Sequence, residues 1–259
     1  MPAPPRRRFE GKVFLVTGAG AGICRAALGI IAAEGGRVAA FDRDADGLAG
    51  TVALVEAEGG EVLAIEGDAL SEADAARAVK AAVGRYGRID VLVNGVGGST
   101  IVRNGSALLE EFTLEEWEGL IDFNLRGTFL FSRGVIPVMK AQKSGRIVNM
   151  GSICARGTAS ASAAYSASKA GIVAMTKKMS LELAPWGITC NAINPGLTMT
   201  DRIVAVFGPQ SEEKHAERLS RIPLGRYGMP EDQAKVVCFL ASTDADFITG
   251  VAIDVTGGQ

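Results

Sequence analysis

The stretch VTGAGAGIC, residues 16–24, joins a short apolar run to an alanine-rich run. It is the strongest local indication of the fold class. A glycine-rich turn between a strand and a helix is where nucleotide-binding α/β proteins hold a phosphate. Gly18 permits a tight turn, and Gly22 lets the backbone approach an anion at a helix N-terminus, where unpaired N–H groups attract it. The G-x-G-x-x-G pattern is incomplete, because Gly18 and Gly20 fill its first two positions but Ile23 fills the last.

An aspartate at a set distance from this turn favours a phosphate loop over a simple small-residue turn. Asp42 follows Gly22 by twenty residues and ends the apolar run in RVAAFDRD. A carboxylate at this spacing accepts hydrogen bonds from the ribose 2′-hydroxyl of a dinucleotide. Glycine and alanine turns between strands and helices are common, so the loop by itself carries little weight. Together with Asp42 it predicts a dinucleotide site.

Strand-like and helix-like patterns alternate along the whole chain. The alternation predicts an α/β fold: a single Rossmann-like, doubly wound domain with a seven-stranded parallel sheet and helices on both faces. Ser71 and Thr113 stand at the starts of two helical patterns as N-caps. The predicted strands are residues 12–16, 37–41, 62–65, 90–93, 146–150, 189–193 and 251–255. The predicted helices are residues 22–34, 45–58, 72–86, 114–140, 164–183 and 230–241.

The length and the 47% hydrophobic content of the 259 residues suit one core, so residues 11–259 are predicted to form one domain. Residues 1–10, rich in proline and arginine, are predicted to be a flexible tail. Residues 197–224 are predicted to be irregular and to act as a lid over a substrate site. We call these residues the lid segment.

Composition excludes several classes of protein. The net charge is −2 without a large basic block, which argues against nucleic acid, and no apolar run approaches the roughly 18 residues of a membrane helix. The single histidine, His215, cannot serve a metal cluster or a Ser-His-Asp triad, so no metal is expected. The four cysteines lie far apart, which predicts buried thiols and a cytoplasmic protein rather than a disulfide frame. They are Cys24, Cys154, Cys190 and Cys238.

The segment AYSASKAG contains a pair of residues suited to acid–base chemistry. Tyr165 and Lys169 are four residues apart, so they lie on one face of the predicted helix. An ammonium close to a phenol lowers the phenol pKa from its usual value of about 10, and the phenol can then exchange a proton near neutral pH. A solvated Tyr and Lys would explain this motif alone. Ser152 and the run LVNGVGG (residues 92–98) oppose that explanation, because both follow strands where parallel sheets bind ligands.

These motifs, in this order, give the chain a resemblance to the short-chain dehydrogenase/reductase family over nearly its whole length, with the 3-oxoacyl reductases as the most similar subgroup. The residues that carry the resemblance are TGAGAGIC, Asp68, NGVG, Asn124 in DFNLRG, Ser152, YSASK, NPGLTMT and PLGRYGMPED followed by FLASTDADFITG.

The resemblance implies a role for each catalytic residue. Tyr165 would be the general acid and base, and Lys169 would bind the nicotinamide ribose and tune Tyr165. Ser152 would orient the substrate oxygen, while Asn124 would hold a water of a proton relay. Hydride would pass between the nicotinamide and a substrate carbon.

The resemblance also implies the cofactor contacts. NAD is expected and NADP is less favoured, because Asp42 would repel a 2′-phosphate, Ala21 offers no cation, and Arg43 fits a solvated charge. Asp68 would contact the adenine. The expected cofactor residues are Gly18, Gly22, Ile23, Asp42, Asp68, Ala69, Asn94, Gly95, Tyr165, Lys169, Pro195, Gly196, Thr198 and Thr200.

The chain departs from the family pattern at several positions. Cys24 replaces the third glycine of the loop, Gly95 replaces the second asparagine of N-N-A-G, and Gly151 precedes Ser152. The segment VTGG replaces the usual V-D-G-G. None of these changes removes a catalytic group, so we expect a small packing adjustment at Cys24 and intact cofactor binding.

The expected substrate is a small secondary alcohol or its ketone, cyclic or branched, or bearing a carboxylate. Small residues at 158–163 predict an uncrowded pocket wall. The residues placed at this pocket are Arg103, Cys154, Arg156 and Arg202.

The sequence leaves two alternative functions open and also predicts an oligomeric state. One alternative is an NADPH-dependent 3-oxoacyl thioester reductase, which Leu130 and Leu181 disfavour because relatives often carry docking arginines there. The other is a non-catalytic dinucleotide-sensing protein. Alanine-rich helices at 114–140 and 164–183 predict a homotetramer.

Overall fold

The computed structural model describes residues 7–101, 107–157, 161–208 and 211–259. Seven strands form one sheet in which every neighbouring pair is parallel. They are β1 Val13–Thr17, β2 Arg37–Asp42, β3 Glu61–Glu66, β4 Val91–Asn94, β5 Gly145–Met150, β6 Ile188–Pro195 and β7 Ala252–Val255. Their order across the sheet is β3-β2-β1-β4-β5-β6-β7. The predicted sheet is therefore confirmed.

Helices cover both faces of the sheet. They are α1 Gly22–Ala33, α2 Ala45–Ala57, α3 Glu72–Tyr86, α4 Leu114–Gln142, α5 Ala163–Leu183, α6 Asp201–Phe207, α7 Glu212–Ser220 and α8 Pro230–Ala241. Alternate residues of β1 point to opposite faces: Phe14 and Val16 join a core with α1, α2 and α8, whereas Leu15 joins a core with α3, α4 and α5. The doubly wound architecture is confirmed.

The strand order reverses between β1 and β4, and this reversal places the site. Chain connections leave β1 and β4 in opposite directions across the sheet, which opens a crevice at the carboxyl ends of the two strands. Thr17 and Asn94 are register partners at these ends. The glycine loop that follows Thr17 and the glycine run that follows Asn94 therefore meet at the crevice.

The two predicted helix caps are confirmed. The Ser71 hydroxyl accepts a hydrogen bond from the Asp74 backbone N–H at 3.2 Å. Thr113 and Glu116 form a capping box, in which each side chain accepts a hydrogen bond from the other residue's backbone N–H. These contacts satisfy N–H groups that a helix start leaves without backbone partners.

The structure corrects the predicted tail and the predicted irregular lid. Phe9 is buried, and its ring packs edge-to-face on Phe14 with 4.9 Å between centroids, so residues 7–10 belong to the domain. The lid segment contains α6 and α7, which begin after the capping hydroxyls of Thr200 and Ser211. Within the described ranges, no helix is both long enough and apolar enough to cross a bilayer.

Candidate active site

The glycine loop folds closely against the end of β4. Gly18 has a φ of 67°, and a Cβ on it would lie 2.9 Å from the carbonyl carbon of Gly95, so only glycine fits. The Thr17 hydroxyl accepts a hydrogen bond from the Gly95 N–H at 3.0 Å and ties the two segments together. Helix α1 begins at Gly22, and no described side chain caps it. Its N-terminal N–H groups therefore suit a pyrophosphate, which a bound dinucleotide would place there.

Asp42 lies beside this loop. Its Oδ2 accepts a hydrogen bond from the Gly20 N–H at 2.8 Å, and its Oδ1 accepts one from the Asp44 N–H at 3.1 Å. A carboxylate oxygen accepts more than one hydrogen bond, so the group retains capacity for ribose hydroxyls. The Arg43 side chain is exposed. This geometry fits the adenosine half of a dinucleotide.

The segment after β6, which is predicted to hold the nicotinamide end of the cofactor, also contacts the glycine loop. A Cβ on Gly22 would lie 3.0 Å from the Thr200 methyl group. Thr198 is buried, and its hydroxyl donates to the Gly196 carbonyl and accepts a hydrogen bond from Gln233. The structure thus brings together two predicted cofactor segments that are far apart in the sequence.

The remaining predicted cofactor residues have mainly structural contacts in the described chain. Asp68 is exposed, and its Oδ1 accepts a hydrogen bond from the Leu70 N–H. Ala69 packs on α4, and Ile23 packs on the core below α1. Asn94 donates through Nδ2 to Asn149 and Ser132, while its buried Oδ1 has no hydrogen-bond partner among the described residues. Cofactor contacts of these residues, and of Pro195, stay predictions.

Tyr165, Lys169 and Ser152 converge where β5 ends. Ser162 caps α5 by accepting a hydrogen bond from the Tyr165 N–H. One turn further, the Lys169 Nζ donates to the Met150 carbonyl at 2.9 Å and lies 5.7 Å from the centre of the Tyr165 ring. The Ser152 hydroxyl is close enough to the Tyr165 phenol to influence its pKa. Because β5 and α5 fix these three side chains, one substrate oxygen can meet both hydroxyls.

Asn124 is fully buried and holds the glycine run in place. Its Oδ1 accepts a hydrogen bond from the Gly98 N–H at 2.9 Å, and its Nδ2 donates to the Gly98 and Leu120 carbonyls. A Cβ on Gly97 would lie 2.6 Å from the Asn124 Oδ1 and 2.9 Å from the Lys169 Nζ. The glycine run therefore passes directly against two predicted catalytic residues. A water held by Asn124 stays a prediction.

Burial shifts the pKa values of both Tyr165 and Lys169, the predicted catalytic pair. The pKa of Tyr165 was expected to fall, and the structure corrects this prediction. Burial raises the pKa of Tyr165 to about 12, although the Ser152 hydrogen bond and the Arg202 charge oppose this shift. Burial also lowers the pKa of Lys169 to about 7, and the Arg202 charge adds to this effect. A sequence pattern shows proximity but not desolvation, which here favours the neutral form of both groups.

A chain of polar contacts that the sequence analysis missed supports Ser152 from below. The Ser152 N–H donates to Asn194 Oδ1 at 3.2 Å, and Asn194 Nδ2 donates to Asp254 at 2.9 Å. A Cβ on Gly151 would lie 2.2 Å from Asn194 Oδ1, which explains glycine at that position. Arg156 pairs with Asp254 at 2.9 Å, so the predicted role of Arg156 at the substrate is not supported. The only sequence signal was a polar residue at the end of one apolar run, Asn194, and another inside the last run, Asp254.

Cys24 and Gly95, two departures from the family pattern, lie in direct contact. A Cβ on Gly95 would lie 2.1 Å from the Cys24 Sγ. The thiol thus occupies the volume that a side chain at position 95 would need. Burial raises the pKa of Cys24 to about 12, so the group is a neutral thiol near pH 7. All four cysteines are buried and free, as predicted.

We expect Gly95→Ala to destabilise the protein by about 1–3 kcal/mol, because the new methyl group would meet the Cys24 sulfur and, at 2.5 Å, the Thr17 carbonyl oxygen. Adding Cys24→Gly should restore part of this loss, since it removes the sulfur but not the carbonyl. Denaturant unfolding of both single variants and the double variant measures the coupling. Strictly additive effects would show that the two positions do not compete for space. Cys24→Gly alone should leave NAD affinity within a few-fold.

The predicted pocket residues lie in different settings. Cys154 is buried beside Ser152, whose hydroxyl accepts a hydrogen bond from the Cys154 N–H. Arg202 reaches the glycine run and donates to the Gly97 carbonyl at 3.1 Å. Arg103 and residues 158–160 lie outside the described residues. Within the described part of the chain, no three His, Cys, Asp or Glu side chains are grouped as metal ligands.

Comparisons with known proteins extend over nearly the whole chain. A family model described as "Enoyl-(Acyl carrier protein) reductase" matches residues 18–259. A "3-oxoacyl-[acyl-carrier-protein] reductase FabG" from Thermotoga maritima is 39% identical over 254 residues, covering 97% of this chain and 98% of that protein. A "2-dehydro-3-deoxy-L-rhamnonate dehydrogenase (NAD(+))" from Sphingomonas sp. is 36% identical over 254 residues, covering 97% of this chain and 96% of that protein.

A solved structure also matches. The crystal structure of levodione reductase has a TM-score of 0.91 with 32% sequence identity and covers 97% of this chain and 98% of that chain. The region matched by the family model therefore spans both the glycine loop from Gly18 onward and helix α5.

Proposed function

Because the chain belongs to the short-chain dehydrogenase/reductase family, we propose that it interconverts a secondary alcohol and its ketone with NAD as the redox partner. The observation that carries this proposal is the convergence of Ser152, Tyr165 and Lys169 at the end of β5, next to a glycine loop fit for a dinucleotide. A protein that only sensed a dinucleotide would not need this set of side chains.

The side chains divide the proton chemistry between them. NAD, when bound, supplies the hydride acceptor, and its reduced form supplies the hydride. The Ser152 and Tyr165 hydroxyls hold the substrate oxygen, and the Tyr165 phenol exchanges the proton on that oxygen. A phenol with a raised pKa is protonated near pH 7, which suits proton donation to a ketone. Lys169, fixed by the Met150 carbonyl, lies where it can bind ribose hydroxyls.

The choice of NAD rests on Asp42. Its carboxylate stands at the glycine loop with both oxygens anchored by backbone N–H groups, so it would repel a 2′-phosphate and accept hydrogen bonds from a 2′-hydroxyl. The Sphingomonas relative carries NAD(+) in its name, which supports the same choice.

We expect NAD to bind at least about tenfold more tightly than NADP, a difference of ~1.4 kcal/mol. Asp42→Asn should narrow this ratio, because it removes the charge but keeps an acceptor for the loop N–H groups. Titration of the intrinsic fluorescence of Trp117 and Trp186 measures both affinities. Asp46→Asn, in the first turn of α2, is the matched control and should leave the ratio unchanged. Equal or tighter binding of NADP by the wild type would show that Arg43 dominates.

A second candidate function is the reduction of 3-oxoacyl thioesters with NADPH, which the name of the Thermotoga maritima relative favours. Leu130 is buried in the core below α4 and cannot form part of an exposed docking surface, and Leu181 is exposed but apolar. Both observations argue against a basic surface for an acidic carrier protein. Assay of 3-oxoacyl thioesters with NADPH and NADH separates the two candidates.

The experiment that tests the main proposal is a panel of secondary alcohols with NAD, followed by NADH absorbance. Turnover of at least one alcohol supports the proposal, and binding of NAD without any turnover supports the non-catalytic alternative. We further propose that the protein acts in the cytoplasm as a homotetramer. A monomer mass by light scattering at micromolar concentration would contradict the tetramer.

A further inference from the structure

Arg202 stands at the mouth of the catalytic site. It belongs to α6, the first helix of the lid segment, and its guanidinium reaches across to the glycine run that follows β4. One nitrogen donates to the Gly97 carbonyl at 3.1 Å, and both terminal nitrogens lie 2.7 Å from the position of a Cβ on Gly98. Glycine at position 98 therefore leaves the space that the guanidinium fills.

The guanidinium lies against the same glycine run as two predicted catalytic residues. Asn124 binds the Gly98 backbone, and Lys169 lies against Gly97, so Arg202, Asn124 and Lys169 all meet at these two glycines. The positive charge acts on both Tyr165 and Lys169, where it lowers the pKa of each. A cation that lies beside the glycine run and influences both proton-handling groups would attract an anionic substrate held by them.

This cation has no acidic partner in the described part of the chain. Arg156, Arg126 and Arg133 all form ion pairs with carboxylates, whereas the contact of Arg202 is a backbone carbonyl. A guanidinium carries five N–H donors in a planar fork, and among the described residues Arg202 uses one nitrogen, in the hydrogen bond to the Gly97 carbonyl. An exposed planar fork beside a reaction centre suits a bidentate anion.

We propose that Arg202 binds a carboxylate of the substrate, which makes the natural substrate class a hydroxy acid or the matching oxo acid. This proposal rests on the proposed function and specifies its substrate. The carboxylate would accept two hydrogen bonds from the guanidinium while the alcohol or ketone oxygen meets Ser152 and Tyr165. No proton or electron passes through Arg202, which orients the substrate. The sugar-acid dehydrogenase among the relatives is named for a substrate of this chemistry.

The cofactor pyrophosphate is the other anion that Arg202 could meet. Thr200, two residues earlier, lies beside Gly22 of the phosphate loop. The contact with Gly97 and the effect on Tyr165 place the guanidinium further toward the proton-handling end. We therefore assign it to the substrate, and the experiment separates the two anions.

The test compares matched substrates on wild type and Arg202→Met. Hydroxy acids of three to six carbons are assayed with NAD beside their methyl esters, which keep the alcohol but lose the charge. We expect the wild type to favour the acids, and Arg202→Met to lose about 10- to 100-fold in kcat/KM on an acid but less than threefold on its ester. Arg202→Lys should retain part of the preference. The control is Arg37→Met, which removes an exposed, paired charge at the amino end of β2, whereas the predicted site lies at the carboxyl ends of the strands.

The possible results distinguish failure of the carboxylate site at Arg202 from failure of the proposed function. Turnover of neutral alcohols and esters with no preference for acids would overturn the carboxylate site and leave the proposed function standing. An equal loss on acid and ester together with a tenfold weaker affinity for NAD would assign Arg202 to the pyrophosphate and overturn the proposal. Absence of turnover with every alcohol, ester and acid would overturn the proposed function itself.

Discussion

Tyr165→Phe should lower turnover by about a thousandfold or more while leaving NAD affinity within about threefold. The variant keeps the ring that packs beside Lys169 and removes only the hydroxyl. General acid–base catalysis typically contributes a factor of about 10²–10⁴, and in the proposed function the same hydroxyl also binds the substrate oxygen. Steady-state rates on the best alcohol of the panel and fluorescence titration of NAD measure the two effects.

Tyr86→Phe is the matched control for this substitution. Burial raises the pKa of Tyr86 to about 12 as well, but its hydroxyl donates to the Val38 carbonyl at 3.0 Å, away from the crevice. Its loss should cost some stability and no activity. Substantial turnover by Tyr165→Phe, or loss of turnover in a His215→Ala variant, would contradict the assignment of the acid–base residue.

The same phenol sets the direction of the pH dependence. Oxidation of an alcohol requires the deprotonated phenol, so its rate should rise with pH through the range below a raised Tyr165 pKa. Reduction of a ketone requires the protonated phenol and should change little over the same range. A rate of oxidation that fell between pH 7 and 9 would contradict this role.

Lys169→Met should weaken NAD binding by at least tenfold and lower turnover by about a hundredfold or more. A hydrogen bond contributes about 0.5–1.5 kcal/mol, and this variant would lose more than one proposed contact with the ribose along with the orientation of the cofactor. Lys178→Met is the control, because Lys178 lies on the same helix but is exposed and pairs with Glu182. Unchanged NAD affinity in Lys169→Met would refute the ribose contact.

The lowered Lys169 pKa also has a consequence for the stability of the ligand-free protein. The unfolded chain keeps the usual lysine pKa of 10.5, so between about pH 7 and 10.5 it binds more protons than the folded chain. Stability therefore rises with pH in this window, by on the order of 1 kcal/mol per pH unit. Lys169→Met lacks this dependence, and its stability advantage over wild type should shrink from pH 7 to pH 9 in denaturant unfolding. A constant difference would contradict the pKa shift.

The sequence was sufficient for the architecture because the signals that specify it are local. Apolar runs of strand length alternate with helical patterns, and caps such as Ser71 and Thr113 mark where helices begin. Strand–helix alternation restricts the connections to parallel ones, so the sheet followed without any knowledge of long-range contacts. The short helices α6 and α7 were missed, since seven and nine residues are too few to establish a helical period in a sequence.

The candidate site was predictable only as a set of residue identities. Tyr165 and Lys169 are one helical turn apart, which the spacing alone determined. Their joint convergence with Ser152 depends on β5 lying beside the start of α5, and the role of Asn194 depends on strand pairing between β5 and β6. Such contacts join residues distant along the chain, and no local pattern encodes them.

The sequence by itself determined the fold class, the glycine turn after β1 and the side chains available for proton transfer, because each depends on short-range spacing. Only the tertiary structure decided which charges are free and which are buried. It pairs Arg156 with Asp254, leaves Arg202 beside the predicted catalytic groups, buries Lys169 and leaves Tyr165 half-buried. Desolvation depends on everything packed around a group, so a motif that placed an ammonium near a phenol could not show that burial would outweigh their attraction.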